Sequence, residues 1–414
     1  MSNSSQLLAL ASAIQTQVTA IHEHLASSGQ AGPSFNGQSP ETNYAGIDDI
    51  RAATLESLTR LHDLLSTPRE ILQHRSPTDF LSRHALDRLG IYDVIPVNET
   101  RTYEQLSATT KQPVRTLRRI LRHAMTQHIF YEPQSGVVAH TQVSRLLTEN
   151  SKIRDYYGTV CQEVWPAATR TVDALEKWPG STQREESGYV LATGKPLQQV
   201  LDENPAKHKR YDNAMGSFAN DRTFSFEHVI KGFDWASLGS ATVVDVGGGV
   251  GTVSKALAKA YPKLNFIVED QPDVVANAAV EEEEIKERIK FIEHDFFTEQ
   301  PVDNADVYFI RRVFMEWPDD KAVLILRALL PAMKKGARVL IQDFYVPEPG
   351  ACPLWQERRF RASDLLALAL ENAGQREFED WRALFETAGP DFQFKGVTPV
   401  PNSDVVFIEA VARG

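Results

Sequence analysis

The sequence predicts an α/β protein: a helical N-terminal part carrying a winged-helix domain, followed by a Rossmann-like domain built on a mostly parallel sheet. Three observations predict it. Apolar residues recur at helical spacing through most of the first 233 residues, and after Trp235 short apolar runs alternate with helical ones, the rhythm of parallel strands joined by crossover helices. The apolar run 241–246 also ends in Gly247-Gly248-Gly249-Val250-Gly251, a strand breaking through glycines into a helix. With 414 residues, 42% of them hydrophobic, the chain has material for more than one core.

Leu7, Leu8, Ile14, Val18, Ile21 and Leu25 share a helical stripe, so residues 7–25 are expected as an amphipathic helix. Residues 27–46 are rich in Ser, Gly, Pro and Asn without periodicity and are expected as a flexible linker. The helical pattern resumes over 48–65 and stops at Thr67-Pro68. Residues 1–47 thus form one unit of helix and linker, and 48–150 a helical winged-helix domain. In the latter, Gln112-Pro113-Val114 opens a helix that turns Leu117, Ile120 and Leu121 inward, and two strands flank Pro133-Gln134-Ser135-Gly136.

Arg115, Arg118, Arg119 and Arg122 give that helix a basic face, as a DNA-recognition helix has. The whole chain, however, is acidic, with 44 Lys and Arg against 55 Asp and Glu for a net charge of -11. A phosphate-tracking surface is therefore not expected, and the basic face is read as solvated within a dimerisation module. The expected partners are a small molecule and a second copy of the chain, with neither nucleic acid nor membrane.

Residues 151–234 are expected as a helical connector contributing Met215 and Phe218 to a substrate pocket, and 235–414 as the cofactor domain. Strands are expected at 242–246, 265–268, 290–292, 307–310, 338–342 and 405–410. Cys161 and Cys352 are too few and too separated for a disulfide framework or a paired-cysteine metal site. No metal is expected, and the cysteine usage together with the absence of a basic leader before the apolar patch 7–14 points to the cytoplasm.

The glycine loop needs residues without Cβ so that a ligand can approach the backbone at a helix start. At the end of the second strand, Val268-Glu269-Asp270 offers a carboxylate to ribose hydroxyls. That arrangement suits NAD as well. The loop sequence Asp245-Val246-Gly247-Gly248-Gly249-Val250-Gly251 and the later Asp295-Phe296 favour S-adenosylmethionine instead.

Taken in order, Asp245 to Gly251, Glu269-Asp270-Gln271-Pro272, His294-Asp295-Phe296-Phe297, Arg311-Arg312-Val313-Phe314-Met315-Glu316-Trp317 and the region 364–372 resemble the motifs of the plant and fungal small-molecule O-methyltransferases. The resemblance covers the chain from about Leu55. It implies a homodimer, a class I methyltransferase domain with a seven-stranded sheet, and S-adenosylmethionine as cofactor. By the same resemblance Gly247 and Gly249 lie at the cofactor's amino-acid part, Asp270 at its ribose, Asp295 and Phe296 at its adenine, and Arg311 where the family has a nearby lysine, with Asp245 also among the cofactor-binding residues.

Two positions depart from that pattern. The family carries His-Asp-Trp where this chain has Met315-Glu316-Trp317, and Gln375 stands where it has a second orienting glutamate. A positioned base contributes about a hundred- to ten-thousand-fold to such a reaction, and a thioether offers none. Asp343 matches a further acid of the family's site.

The intact loop beside a lost base, together with His140-Thr141 on the wing, resembles the fungal S-adenosylmethionine-binding pericyclases of pyridone alkaloid biosynthesis. That resemblance implies dehydration of a pyridone alcohol to a quinone methide, then a hetero-Diels–Alder or Alder-ene cyclisation, with the cofactor unconsumed. A fixed sulfonium can stabilise developing negative charge in a water-poor pocket. His140, Asp343, Arg311 and Met315 are then the expected catalytic set, with Met315 and Asn372 also lining the pocket. The alternative is O-methylation of a phenolic or polyketide secondary metabolite.

Overall fold

The computed structural model describes residues 3–73, 77–217 and 222–413. The chain divides into two units. One comprises residues 1–177, 187–217 and 353–356, and the other residues 178–186, 218–352 and 357–414.

The first unit opens with helices Asn3–Ser27 and Asp48–Leu65. The segment between them, expected as a flexible linker, is docked on the wing. Phe35 stacks on His128 with ring centroids 3.7 Å apart, Asn36 pairs with Thr141, and Gln142 Nε2 donates to the carbonyls of Ser39 and Pro40. Proline and serine content signalled an absence of regular structure, which is correct, but not of tertiary contact.

The winged helix follows. Helix Tyr103–Thr110 starts in a capping box between Thr102 and Gln105. Helix Val114–Met125 buries Leu117, Leu121 and Ala124, one face at helical spacing, against Leu86, Tyr92, Tyr103 and Leu106. Strands β1 (Thr100–Thr102), β2 (Tyr131–Gln134) and β3 (Val137–Ala139) form a sheet in the order β1-β3-β2. Within the basic face, Arg122 is held by both oxygens of Glu132 at 2.9 Å and Arg118 lies 5.5 Å over the Tyr103 ring.

The second unit is organised by strands β4 (Ala241–Val246), β5 (Leu264–Asp270), β6 (Ile289–Glu293), β7 (Val307–Arg311), β8 (Arg338–Phe344), β9 (Phe392–Pro399) and β10 (Val405–Ala412). Their order is β6-β5-β4-β7-β8-β10-β9, parallel from β6 to β8, with β10 antiparallel to both its neighbours. The parallel strands are apolar almost throughout because both faces are covered. One face packs Val244, Ile310 and Ile341 against helices Asp319–Leu329 and Phe378–Ala388. The other packs Val243, Phe266 and Phe309 around Trp235 and helix Thr252–Ala260. The seventh strand, β9, was not among those read from residues alone. Its sequence FQFKGVTP is broken by Lys395-Gly396 and its register with β10 shifts at Glu409/Ala410, as an irregular edge strand allows.

The order in which strands are added reverses at β4, which lies between β5 and β7. In open α/β sheets the carboxyl ends of the strands at such a switch point form the ligand crevice. The glycine loop leaves β4 there.

Candidate functional site

Gly247, Gly249 and Gly251 adopt φ values of +69°, +61° and +72°, which side-chain-bearing residues rarely tolerate. A Cβ on Gly251 would come within 2.9 Å of Phe291, and one on Gly248 within 2.6 Å of the Asp245 carboxyl. Gly249 differs: a Cβ there would meet nothing within 4 Å. Its strained backbone therefore faces open space, as a cradle for a ligand must. Its N–H donates to Asp270 Oδ2 at 2.7 Å, so the loop and the end of β5 hold each other.

Asp245 is buried and accepts from Ser254 Oγ at 2.6 Å. Burial pushes its carboxyl up to about 6. Glu269 points the other way, into the core, where Gln300 Nε2 donates to it at 3.0 Å and its second oxygen has no partner. Burial pushes it up to about 7. Asp270 alone of this acidic pair turns toward the loop. Asp295 accepts from the N–H of Phe297 at 3.0 Å, and Phe296 reaches within 3.8 Å of where a Gly247 Cβ would stand. Phe296, Phe297 and Trp317 pack edge to face, with centroids 4.8–6.1 Å apart.

The segment after β7 lies against the same loop: a Gly247 Cβ would be 3.1 Å from Val313. Two residues on, the Met315 N–H donates to Asp343 Oδ2 at 3.2 Å, while the Phe344 N–H donates to Oδ1 at 2.7 Å. Asp343 is 1% exposed and its carboxyl is pushed up by burial to about 6. Arg311 sends Nε to Gln342 Oε1 at 2.8 Å, and desolvation pushes it down to about 10, opposed by the charges of Asp245 and Asp343. The structure thus brings Asp245, Gly247, Gly249, Asp270, Phe296, Arg311, Met315 and Asp343 to one end of one sheet. It also brings in Ser254, which no motif contained, and Arg312 and Trp317, which stood in a motif without an assigned role.

Other expected residues are occupied elsewhere. His140 is 5% exposed. Its Nε2 donates to the Ile95 carbonyl at 2.8 Å, which leaves Nδ1 to accept from Ser144 Oγ at 3.0 Å. Desolvation lowers its pKa, so the ring is neutral with both nitrogens engaged in its own domain, and no free nitrogen remains for a substrate. Asn372, with φ +53°, donates its amide to the carbonyls of Ser181 and Gln183 at 2.8 and 3.2 Å; it ties a loop down. Gln375 Nε2 donates to Ser363 Oγ at 3.0 Å, while its Oε1 is buried without a partner. Met215 is half-buried in helix Pro205–Ser217, and Phe218 lies outside the described residues. No cluster able to hold a metal occurs among the described residues, and no described helix is long and apolar enough to cross a membrane.

Residues 178–392 match the O-methyltransferase domain family. The grayanic acid biosynthesis cluster O-methyltransferase of Cladonia grayi is 37% identical over 98% of this chain and 88% of its own length. The chlorophenol O-methyltransferase of Trichoderma longibrachiatum is 35% identical over 98% of this chain and 90% of its own. Among solved structures, OxaC in complex with sinefungin and meleagrin superposes with a TM-score of 0.68 at 22% identity, covering 97% of this chain and 99% of that one. A structure described as a pericyclic reaction enzyme gives 0.66 at 20% identity, covering 97% and 100%. These two likenesses establish the fold alone.

Proposed function

The chain belongs to the O-methyltransferase family, whose cofactor is S-adenosylmethionine, and from that premise we propose that it methylates an acidic hydroxyl of a phenolic or polyketide-type secondary metabolite. S-adenosylmethionine supplies a methyl group on a positively charged sulfur, open to attack by an oxygen nucleophile. The chain's part is to hold that group, to exclude water, and to manage the acceptor's proton.

The observation that carries the reading is that an intact glycine cradle and an acid poised near neutrality both adjoin one segment, residues 313–315. Gly247 touches the segment leading to Met315, and Met315 is hydrogen-bonded to Asp343, whose pKa near 6 suits a proton acceptor. Gly247, Gly249 and Asp270 would hold the cofactor, with Arg311 beside them and Phe296 and Asp295 at its other end. The imidazole and its partner acid are both replaced here, by Met315 and Gln375, which favours an acceptor hydroxyl that ionises readily. A relative named for chlorophenols, phenols acidified by their halogens, supports this preference.

A second reading, the pericyclic cyclisation of a dehydrated pyridone alcohol with the cofactor unconsumed, draws on one specific observation: Met315 and Gln375 together replace the family's base and its partner acid. Methyl transfer is preferred because relatives named O-methyltransferases match nearly the whole chain at 35–37% identity, and because His140 is engaged within its own domain. Product mass separates the two. Incubation with S-adenosylmethionine and a panel of chlorophenols, 2-acylphenols and pyridone alcohols is expected to yield a product heavier by one methylene with stoichiometric S-adenosylhomocysteine. A product isomeric with its precursor, or lighter by water, with the cofactor unchanged, would replace this reading by the second.

A further inference from the structure

Two arginines stand side by side at the end of β7, and only one of them is satisfied. Arg311 donates to Gln342 Oε1 at 2.8 Å and to the Phe224 carbonyl at 3.4 Å. Arg312 has a buried Nε without an acceptor, and among the described residues its guanidinium makes no side-chain hydrogen bond and no ion pair. Burial lowers its pKa, with Asp343 and Glu316 acting in the opposite sense, yet a guanidinium remains protonated at neutral pH. A half-buried cation whose Nε–H is buried with no acceptor is costly unless something else completes it.

The surroundings hold the guanidinium in place. The Arg312 backbone has φ +56°, a left-handed conformation that costs about 1–2 kcal/mol for a residue with a Cβ. Its N–H donates to the Gln342 carbonyl at 2.9 Å, which fixes that conformation. The guanidinium carbon sits 5.2 Å from the Phe224 ring and 5.9 Å from that of Phe344, and those rings pack edge to face at 5.5 Å. An arginine over an aromatic floor keeps its N–H fork free for an anion. It lies three residues before Met315 and one strand away from Asp343, in the place where the acceptor's proton must be managed.

We propose that Arg312 binds the ionised oxygen of the acceptor, and that the acceptor is a hydroxyl acidified by a neighbouring carbonyl or electron-withdrawing ring substituent. The proposal rests on the methyl-transfer reading and names its acceptor class. The acceptor's proton goes to the Asp343 carboxylate where the hydroxyl arrives protonated, and to bulk water where it has already ionised. A base and a cation are alternative solutions to one problem: the base removes the proton, whereas the cation favours the form that has already lost it. Met315 in the base position and an unpaired guanidinium nearby are the two halves of the second solution. The other charged groups facing this guanidinium are Arg311, Asp343 and Glu316.

The test is a binding titration of 4-nitrophenol, whose phenolate is yellow and whose neutral form is colourless, on full-length protein saturated with S-adenosylhomocysteine. Wild type is expected to bind the phenolate more tightly than 4-nitroanisole, its uncharged methyl ether, and to lower the apparent pKa of the bound phenol. A charge-assisted hydrogen bond predicts that Arg312→Gln weakens phenolate binding about ten- to a hundredfold while leaving 4-nitroanisole unchanged, with Arg312→Lys in between. Equal wild-type affinity for phenolate and 4-nitroanisole overturns the proposal, and needs no variant to fold. So does a folded Arg312→Gln protein that binds phenolate as wild type does. Anion binding intact, but turnover without S-adenosylhomocysteine, refutes methyl transfer and leaves Arg312 as an anion site.

Discussion

The Met315 N–H donates to the carboxyl of Asp343 at 3.2 Å, so the backbone at the position of the missing base is fixed by the acid that remains. The segment bearing Met315 is thus tied to the end of β8 through its backbone, whatever its side chain. Asp343 is also held by the Phe344 N–H, and both of its oxygens retain a second lone pair for a proton or a hydroxyl.

Restoring a base is then a local change. Met315→His with Gln375→Glu is expected to raise methylation of weakly acidic phenols by about a hundredfold or more, the contribution of a positioned base, and to do less for acidic ones. The glutamate would replace a side chain whose Oε1 is already buried without a partner. Comparing kcat/KM for phenol and for a polychlorinated phenol checks it; an equal gain on both would mean that proton removal is not what Met315 forgoes.

Asp343→Asn tests the remaining acid through pH. The wild-type carboxyl, pushed up to about 6, accepts a proton only when ionised, so kcat/KM should climb as pH rises through about 6 and level off above it. The asparagine variant should lose that climb and about a hundredfold in rate at neutral pH. A pH–rate profile on an acceptor whose own hydroxyl stays protonated across this range separates the enzyme's titration from that of the substrate, and an acceptor already ionised at pH 5 should show no climb.

Within the glycine loop, sterics and ligand binding separate by one residue. Gly248→Ala would place a Cβ 2.6 Å from the Asp245 carboxyl carbon and 2.8 Å from Val268, an overpacking expected to cost about 1–3 kcal/mol of stability. Gly249→Ala meets no atom within 4 Å, so its loss of stability is only the backbone term of about 1–2 kcal/mol. Its loss of S-adenosylhomocysteine affinity should be the larger effect if that open face carries the cofactor. Thermal melts and calorimetric titration of both variants measure the two quantities independently.

What could be read from the chain tracks how locally each feature is determined. The run 241–251 announces its strand, turn and helix because burial, φ and capping are all written in adjacent residues. β9 was invisible because Lys395-Gly396 breaks its alternation, and only pairing with β10 makes it a strand. The docking of residues 35–40 depends on His128, Thr141 and Gln142, far along the chain. Residue type offers His140 for chemistry, but the Ile95 carbonyl, 45 residues away, occupies its Nε2. Resemblance points to Arg311 and is silent on its neighbour Arg312. Which of them is satisfied depends on Gln342 and Phe224, contributed by other parts of the domain.

Glu269 carries the last prediction, on stability. It is 1% exposed, one oxygen is unpartnered, and its carboxyl is pushed up from an ordinary 4.5 to about 7 by burial. A raised folded-state pKa means that the folded protein binds this proton more tightly than the unfolded chain does. The contribution is therefore fully present below pH 4.5 and is lost as pH climbs through about 7, on the order of 1–3 kcal/mol in all. Glu269→Gln keeps the shape and the hydrogen bond to Gln300 but removes the titration. Urea unfolding at pH 5 and pH 8 should show the variant gaining on wild type at the higher pH, and a stability difference independent of pH would mean that Glu269 is ionised in the fold throughout.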